Sequence, residues 1–216
     1  MLVATYATPS HVPMAKRFVL DRMGLAGFRG CITHFEEHQA CESATFKRLG
    51  WNYATARKYE FLASLPENSR PVLFVDADVA LFTGLAQWCI ACIEDRYPNW
   101  IGYGDDVVQW CTGVMLFRCT PEVLGWFRFC HQFCMLMEEN DQDGLHILRA
   151  NGKNMPVQCD VLPGNRVTNW ATLGHMHPWQ GEPIDVPDTT LAWHANWCVG
   201  VEAKTRMLTE VTSGKL

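Results

Sequence analysis

The strongest constraint on the fold of this chain is an apolar run, residues 71–75, that ends at two carboxylates, Asp76 and Asp78, separated by the small residue Ala77. Polar residues 67–70 precede the run, so its length and composition predict a buried strand. Open α/β sheets bind ligands at the carboxyl ends of their strands. Because residues two apart in an extended backbone point the same way, both carboxylates can converge on one hard cation. The simpler interpretation is a strand that ends in two solvated acids.

The rest of the chain alternates predicted strands and helices without an internal repeat, which indicates an α/β fold. We expect strands over residues 2–7, 30–35, 71–76 and 113–117, and helices over 9–22, 55–65, 86–94, 122–137 and 201–211. Thr120 and Pro121 are typical of the N-cap and first position of a helix. Residues 151–190 contain five prolines, so this region is predicted to consist mainly of loops.

Composition narrows the functional classes. With 216 residues, 48% of them hydrophobic and 19% charged, the chain is predicted to form one globular domain. It has no apolar stretch of membrane-spanning length, and its first residues do not have the pattern of a secretory signal. A net charge of −5 without a basic run argues against nucleic acid as a partner. The ten cysteines are scattered in apolar segments, which favours reduced thiols and a cytoplasmic location.

The cysteine spacing leaves zinc as an alternative. Cys89 and Cys92 form a Cys-x-x-Cys pair, and Cys130 and Cys134 are spaced like the second half of a zinc site. Both pairs lie in predicted helices on apolar stripes, where cysteine behaves as a small hydrophobic residue. We therefore expect core packing rather than zinc.

The segment 193–204 contains a second candidate group. His194 could provide a third metal ligand, although a histidine among tryptophans is also typical of a packed core. Gly200 at a helix start would expose backbone N–H groups, and Lys204 one turn later would add a positive charge. This combination suits a diphosphate.

A third candidate segment follows the long predicted helix. Asp141, Gln142 and Asp143 offer carboxylate and amide groups that can hold sugar hydroxyls from several directions. The alternative is that Asp141 or Asp143 caps a helix over residues 144–150. Both interpretations can hold together.

These segments and the strand 112–117 occur in the order seen in GT-A-fold nucleotide-diphospho-sugar transferases, and the resemblance covers nearly the whole chain. It is closest to the retaining groups that include glycogenin, the lipooligosaccharide galactosyltransferases and the plant and algal cell-wall transferases. The chain also resembles the small glycosyltransferase domains of chloroviruses. The resemblance implies a Rossmann-like, three-layer α/β/α fold with a mostly parallel central sheet. Within one domain, residues 1–110 would bind the nucleotide and 111–216 the donor sugar and acceptor.

The resemblance also implies residue roles. Asp76, Asp78 and His194 would hold Mn²⁺ or Mg²⁺, and Asp141, Gln142 and Asp143 would act at the reacting carbon of the donor sugar. Residues implied in donor binding are Thr5, Tyr6, Thr8, Arg57, Lys58, Asp76, Ala77, Gly200 and Lys204. The nucleobase could stack on the ring of Tyr6. One departure is Cys111-Thr112, where the family often has asparagine and a small residue.

The expected function is metal-dependent transfer of a hexose or deoxyhexose from a nucleotide diphosphate, with UDP expected, to a glycan or other hydroxyl acceptor, with retention at the anomeric carbon. A haloacid-dehalogenase-type phosphatase also has a strand that ends in Asp-x-Asp, and Asp105-Asp106 could imitate its later acidic motif. However, Val79-Ala80 stands where that family has Gly-Thr-like residues. A non-catalytic nucleotide-sugar-binding module is a further alternative. The His-x-x-Glu-His pattern of residues 34–38 matches inverted zinc proteases in sequence. That family needs both histidines on one face of a helix, whereas a strand is predicted here.

Overall fold

The structure is a computed structural model that describes residues 1–39, 41, 50–151 and 155–214. Its strands are β1 (Leu2–Ala7), β2 (Cys31–Phe35), β3 (Val72–Asp76), β4 (Val79–Leu81), β5 (Trp100–Asp105), β6 (Trp110–Phe117), β7 (Gln158–Val161), β8 (Val167–Asn169) and β9 (Ala192–His194). Its helices are α1 (Val12–Met14), α2 (Trp51–Ala63), α3 (Leu85–Glu94), α4 (Pro121–Met137), α5 (Asp141–Asn151) and α6 (Val201–Ser213).

Six strands form the central sheet in the order β2-β1-β3-β6-β5-β7. Strand β6 is antiparallel to both of its neighbours, whereas the other three pairings are parallel. Five of the six strands therefore run in the same direction, and the expected mostly parallel α/β sheet is confirmed.

Alternate side chains of β3 point to opposite faces of this sheet. Phe74 packs with residues of α2, α4 and α5 on one face, whereas Leu73 and Val75 pack with α3 and Val19 on the other. Because helices cover both faces, the three layers are α/β/α. The acids that end β3 consequently lie at the rim of a fully covered sheet.

A second sheet of three short strands, in the order β4-β9-β8, adjoins the end of β3. The sequence did not predict these strands, because three residues are too few to show an alternating pattern. Strand β7 was also missed. Strands β7 and β8 lie in the proline-rich region and replace part of the loop expected over residues 151–190.

The helix expected over residues 9–22 is irregular. A 3₁₀ turn at Pro9–His11 leads into α1, and Ala15–Leu20 follow as a π-helical segment. Pro13 has no N–H to bond the Pro9 carbonyl, which instead accepts from Val12 in the 3₁₀ turn. The N-cap prediction at the start of α4 is confirmed, since the Thr120 hydroxyl accepts from the Val123 N–H at 3.4 Å.

None of the ten cysteines forms a disulfide in the described parts of the chain, and seven of them are buried. Cys89, Cys130 and Cys134 lie on the core sides of α3 and α4, as the helical spacing indicated. His34 lies in β2, so the His-x-x-Glu-His pattern of residues 34–38 does not lie on a helix. Among the described residues, no helix combines the length and the apolar character needed to cross a membrane.

Candidate metal and nucleotide-sugar site

The turn after β3 brings Asp76, Asp78 and His194 together. Strand β4 pairs antiparallel with β9 so that Val79 lies opposite His194, and the Ala195 N–H donates to the Asp78 carbonyl at 3.0 Å. One ligand atom from each of the three side chains lies within 4.8 Å of the others. Among the described residues this is the only such group of histidine, cysteine and carboxylate side chains. Two carboxylates and one imidazole fit Mn²⁺ or Mg²⁺ in the chemistry of their donor atoms.

Asp78 lies between two positively charged partners. Its Oδ1 is 3.3 Å from His194 Nε2, and its Oδ2 contacts Lys204 Nζ. Burial alone would raise the pKa of Asp78, but Lys204 and His194 outweigh it and hold that pKa well below its usual range. Burial lowers the pKa of His194, whereas Cys111 and Asp78 raise it, and the net shift is well upward. The site therefore keeps Asp78 ionised.

Asp76 lies in a different network. Lys58 Nζ is 2.9 Å from Asp76 Oδ1 and 2.6 Å from Asp141 Oδ2. Thr112 Oγ1 donates to the same Asp141 oxygen and lies 3.4 Å from Lys58 Nζ. Burial raises the pKa of Asp76 above its usual range, although the Lys58 ammonium opposes the shift. Lys58 itself is buried, and its pKa is raised because the two carboxylates outweigh its desolvation.

A cavity of about 460 Å³ opens over these side chains. All but two of the residues expected to bind metal, donor or reacting sugar line it: Tyr6, Thr8, Lys58, Asp76, Ala77, Asp78, Asp141, Gln142, Asp143, His194, Gly200 and Lys204. Thr5 and Arg57 do not. Thr5 is fully buried in β1, and the Arg57 guanidinium contacts Glu36 Oε1 at 3.0 Å and the Tyr53 hydroxyl at 3.0 Å on the outer face of α2.

Two rings line the cavity near the end of β1, those of Tyr6 and His11, and their contacts differ. The Tyr6 ring stacks on His34 with centroids 5.6 Å apart, and its hydroxyl donates to Glu36 at 2.8 Å. His11 also lines the cavity, and its Nδ1 is 3.2 Å from the Thr8 hydroxyl. Burial and Lys204 lower the pKa of His11 to about 4, so the ring is neutral at pH 7. Sequence reasoning missed His11, although its position just after β1 was a usable signal.

The acidic segment forms the start of α5. The helix begins at Asp141, and Asn140 caps it, because Asn140 Oδ1 accepts from the N–H groups of Gln142 and Asp143 at 2.9 Å each. The alternative interpretation, in which Asp141 or Asp143 caps a helix over 144–150, is therefore wrong. An asparagine accepts both N–H bonds here, which leaves the Asp141 carboxylate available to Lys58.

Sequence reasoning also missed Asp106 as part of this site. Its carboxylate is buried in the cavity wall and accepts from Gln142 Nε2 at 2.8 Å, Asn196 Nδ2 at 2.8 Å and Trp197 Nε1 at 2.5 Å. It thus joins the β5–β6 turn to α5 and to the segment after β9. Asp106 directly follows β5, and this position at the end of a strand was a usable signal. From the sequence, Asp105-Asp106 was considered only for the phosphatase alternative.

The start of α6 closes the cavity beside Asp78. Gly200 has φ +85°, a conformation that side chains rarely adopt, and it precedes the first helical residue. Gly200 and Lys204, one turn apart, both line the cavity, and the first N–H groups of a helix have no acceptor within the helix. Together they form an electropositive lip that suits an anion.

Comparison with known proteins identifies the family. The model of the nucleotide-diphospho-sugar transferase family matches residues 21–208, a range that includes Lys58, Lys204 and all three candidate metal ligands. The chain belongs to this family. Membership implies a nucleotide-sugar donor and an acceptor, so the transferase is a glycosyltransferase. No curated protein matches the sequence significantly.

Solved structures show that the transferase has the GT-A fold. A glycosyltransferase involved in the glycosylation of the major capsid of PBCV-1 aligns with a TM-score of 0.60 and 12% identity, over 97% of this chain and 100% of that one. The galactosyltransferase LgtC, in complex with donor and acceptor sugar analogues, aligns with a TM-score of 0.55 and 15% identity over 100% of both chains. Mouse xyloside xylosyltransferase 1 aligns with a TM-score of 0.51 and 12% identity, over 90% of this chain and 97% of that one. The predicted resemblance to GT-A glycosyltransferases is confirmed, and the phosphatase alternative is not favoured.

Proposed function

We propose that this transferase moves a sugar from a nucleotide diphosphate, with UDP as the expected donor, to a hydroxyl group of a glycan acceptor. Transfer depends on a divalent cation, with Mn²⁺ expected, and retains the configuration of the anomeric carbon. The observation that carries the proposal is the group of Asp76, Asp78 and His194 in the floor of the cavity, with Lys204 beside it. A binding module without catalysis would not require this whole set of charged groups.

Asp76, Asp78 and His194 would hold the cation, which when bound supplies Lewis-acid stabilisation of the diphosphate leaving group. The chain itself adds charge at the same place. Lys204 and the N–H groups of the first turn of α6 lie at the lip of the cavity, where they can stabilise the negative charge that develops as the glycosidic bond breaks. His11 and Thr8 also line the cavity, where the nucleoside can be accommodated.

The donor sugar is proposed to lie against α5. Lys58 and Thr112 fix the Asp141 carboxylate, and Asp106 fixes the Gln142 amide, so both side chains are preoriented. Lys58 and Thr112 both donate hydrogen bonds to Asp141 Oδ2 and hold this carboxylate in place. A carboxylate held in this way suits the binding of sugar hydroxyls and the stabilisation of positive charge at the anomeric carbon. A retaining mechanism in which the acceptor attacks from the side of the leaving group is consistent with these contacts, since it requires no separate nucleophile.

The proposal is tested by incubating the protein with a panel of nucleotide sugars, with Mn²⁺ or with EDTA, and measuring release of the nucleoside diphosphate. We expect Mn²⁺-dependent cleavage of one or a few donors, faster in the presence of a hydroxyl acceptor, and an α-linked product from an α-linked donor by NMR. Asp78→Asn should lose this activity, whereas the matched substitution Asp21→Asn at an exposed position should retain it.

Two results would separate the alternatives. Release of phosphate from a generic ester without any acceptor would indicate a phosphatase. Tight binding of a nucleotide sugar without cleavage, unchanged by any acceptor, would indicate a binding module. A product of inverted configuration would contradict retention alone and would leave Asp141 or Asp143 to act as the general base.

A further inference from the structure

The ring of His194 makes a second contact that the proposed function does not use. Its Nε2 faces Asp78, but its Nδ1 lies 3.2 Å from the Cys111 sulfur. Cys111 is only 1% exposed and His194 only 5%, so no solvent competes for this nitrogen. The sulfur also accepts a hydrogen bond from Asn196 Nδ2 at 4.0 Å. The thiol is thus built into the cluster around the histidine.

Strand β6 holds the histidine ring from two positions. Cys111 and Gly113 are two residues apart in an extended strand and face the same side. A Cβ atom at position 113 would lie 2.1 Å from His194 Cε1, so the glycine provides the space that the ring occupies. Cys111 then contacts the edge of the ring at Nδ1. A rigid strand of the central sheet therefore fixes both the location and the orientation of the imidazole.

We propose that Cys111 is a positioning residue for the divalent cation: its sulfur accepts a hydrogen bond from Nδ1–H of His194 and so directs the Nε2 lone pair toward Asp76 and Asp78. This inference rests on the metal dependence of the proposed function. A neutral imidazole carries one proton, and the partner of one nitrogen decides which nitrogen is free to bind a metal. Such outer partners usually change metal affinity by about 10- to 100-fold.

The first test measures Mn²⁺ affinity by electron paramagnetic resonance on the protein without substrate. Cys111→Val keeps a side chain of similar volume and removes the acceptor, whereas Cys111→Ser keeps an acceptor. We expect the valine variant to bind Mn²⁺ about tenfold or more weakly than the parent, and the serine variant to lose less. The matched control is Cys119→Val, at a site that is also 1% exposed but lies beyond the opposite end of β6.

Parent-like affinity in Cys111→Val, or equal losses in the valine and serine variants, would overturn the proposal, because the acceptor would then have no effect. Both results are distinct from failure of the proposed function, which would appear as no Mn²⁺ binding by the parent protein itself. Circular dichroism on each variant would establish that it is folded.

The second test needs no metal and covers the case in which the valine variant does not fold. Proton–nitrogen NMR of the metal-free protein, labelled with ¹⁵N-histidine, reports the protonation of each ring nitrogen, and the His194 signals are those absent from His194→Gln. At a pH high enough for the His194 ring to be neutral, we expect a proton on Nδ1 and none on Nε2 in the parent, and a shift of the Nδ1 resonance in Cys111→Ser. An Nδ1 without a proton, or a resonance that does not move, would overturn the assignment.

Discussion

Asp76 and Asp78 are separated by one residue, yet their surroundings differ. Asp76 shares the Lys58 ammonium with a second carboxylate, Asp141, whereas Asp78 contacts both Lys204 and His194. One cation therefore serves two acids on the first side, and two cationic groups serve one acid on the other. The pKa shifts follow this balance: the pKa of Asp76 is raised, chiefly by burial, and that of Asp78 is lowered despite burial.

The difference shows that the two acids of the Asp-x-Asp segment belong to distinct charge networks. The Asp76 side connects the candidate metal site to α2 and α5, where the donor sugar is proposed to bind. The Asp78 side connects it to α6, where the diphosphate is proposed to bind. Under the proposed function, each acid would couple the cation to a different part of the donor.

The largest expected effect on this comparison comes from Lys58→Met, which leaves two carboxylates without their shared cation. Removing one partner of a buried ion pair costs about 3–5 kcal/mol. Lys204→Met should cost less, about 1–3 kcal/mol, because His194 still faces Asp78 and Lys204 is 18% exposed in its side chain. Urea unfolding at pH 7 measures both, with the exposed Lys16→Met as the control. Equal losses in the two variants would contradict the asymmetry.

The next effect concerns the cation. Asp78→Asn should weaken Mn²⁺ binding by about a hundredfold or more, since its carboxylate is the one held ionised most strongly. Asp76→Asn should weaken binding by a smaller factor, because burial raises the pKa of Asp76 and its charge is therefore less firmly held than that of Asp78. Isothermal titration with MnCl₂ would measure both dissociation constants. The opposite ranking would show that Lys58 moves away when the cation binds.

A third prediction concerns pH on the Asp78 side. The folded-state pKa of His11 is about 4, below its ordinary value of 6.5, so the unfolded chain takes up the proton first as the pH falls. Stability is thus retained above pH 6.5 and decreases between pH 6.5 and 4, with about 2 kcal/mol lost at pH 5. Urea unfolding at pH 7 and pH 5 should show this part of the loss removed in His11→Gln. The exposed His177→Gln should leave it in place, and a His11→Gln variant with the parent's pH dependence would refute the assignment.

The smallest effect is expected on the Asp76 side. Asn140→Ala removes the cap of α5 and should cost about 1 kcal/mol of unfolding free energy. Because Asp141 is the next residue, activity should also decrease, while Mn²⁺ affinity should not. Thermal unfolding and Mn²⁺ titration measure the two effects, and Asn151→Ala at the other end of α5 is the matched control. A loss of Mn²⁺ affinity would indicate that the sugar and metal regions are not separable in this way.

Much of the framework could be predicted because its elements carry local signals. The bounds of β1 agree with the expected residues 2–7, and the start of α4 follows from its proline and threonine. Strands β4 and β9 could not be predicted, because each has three residues and forms only by pairing with strands from other parts of the chain. The cap of α5 was misassigned because aspartate and asparagine have nearly equal capping preference.

The site was predictable in its chemical types but not in its pairings. The resemblance suggested roles for Asp76, Asp78, His194 and Lys204, and the structure places all four around one cavity. Asp106 and Cys111 were missed as members of the site because their partners are 36 and 83 residues away in the sequence. Those roles remain predictions until the variants above are measured.

By itself, the sequence determined an α/β chain whose apolar strand ends in two carboxylates, because burial of β3 and the period-two geometry of a strand are local properties. Only the tertiary structure decided that these two carboxylates are unequal. Lys58, Asp141, His194 and Lys204 reach them through helix packing and through the pairing of β4 with β9, and the charge on a buried acid depends on which groups lie within a few ångströms of it.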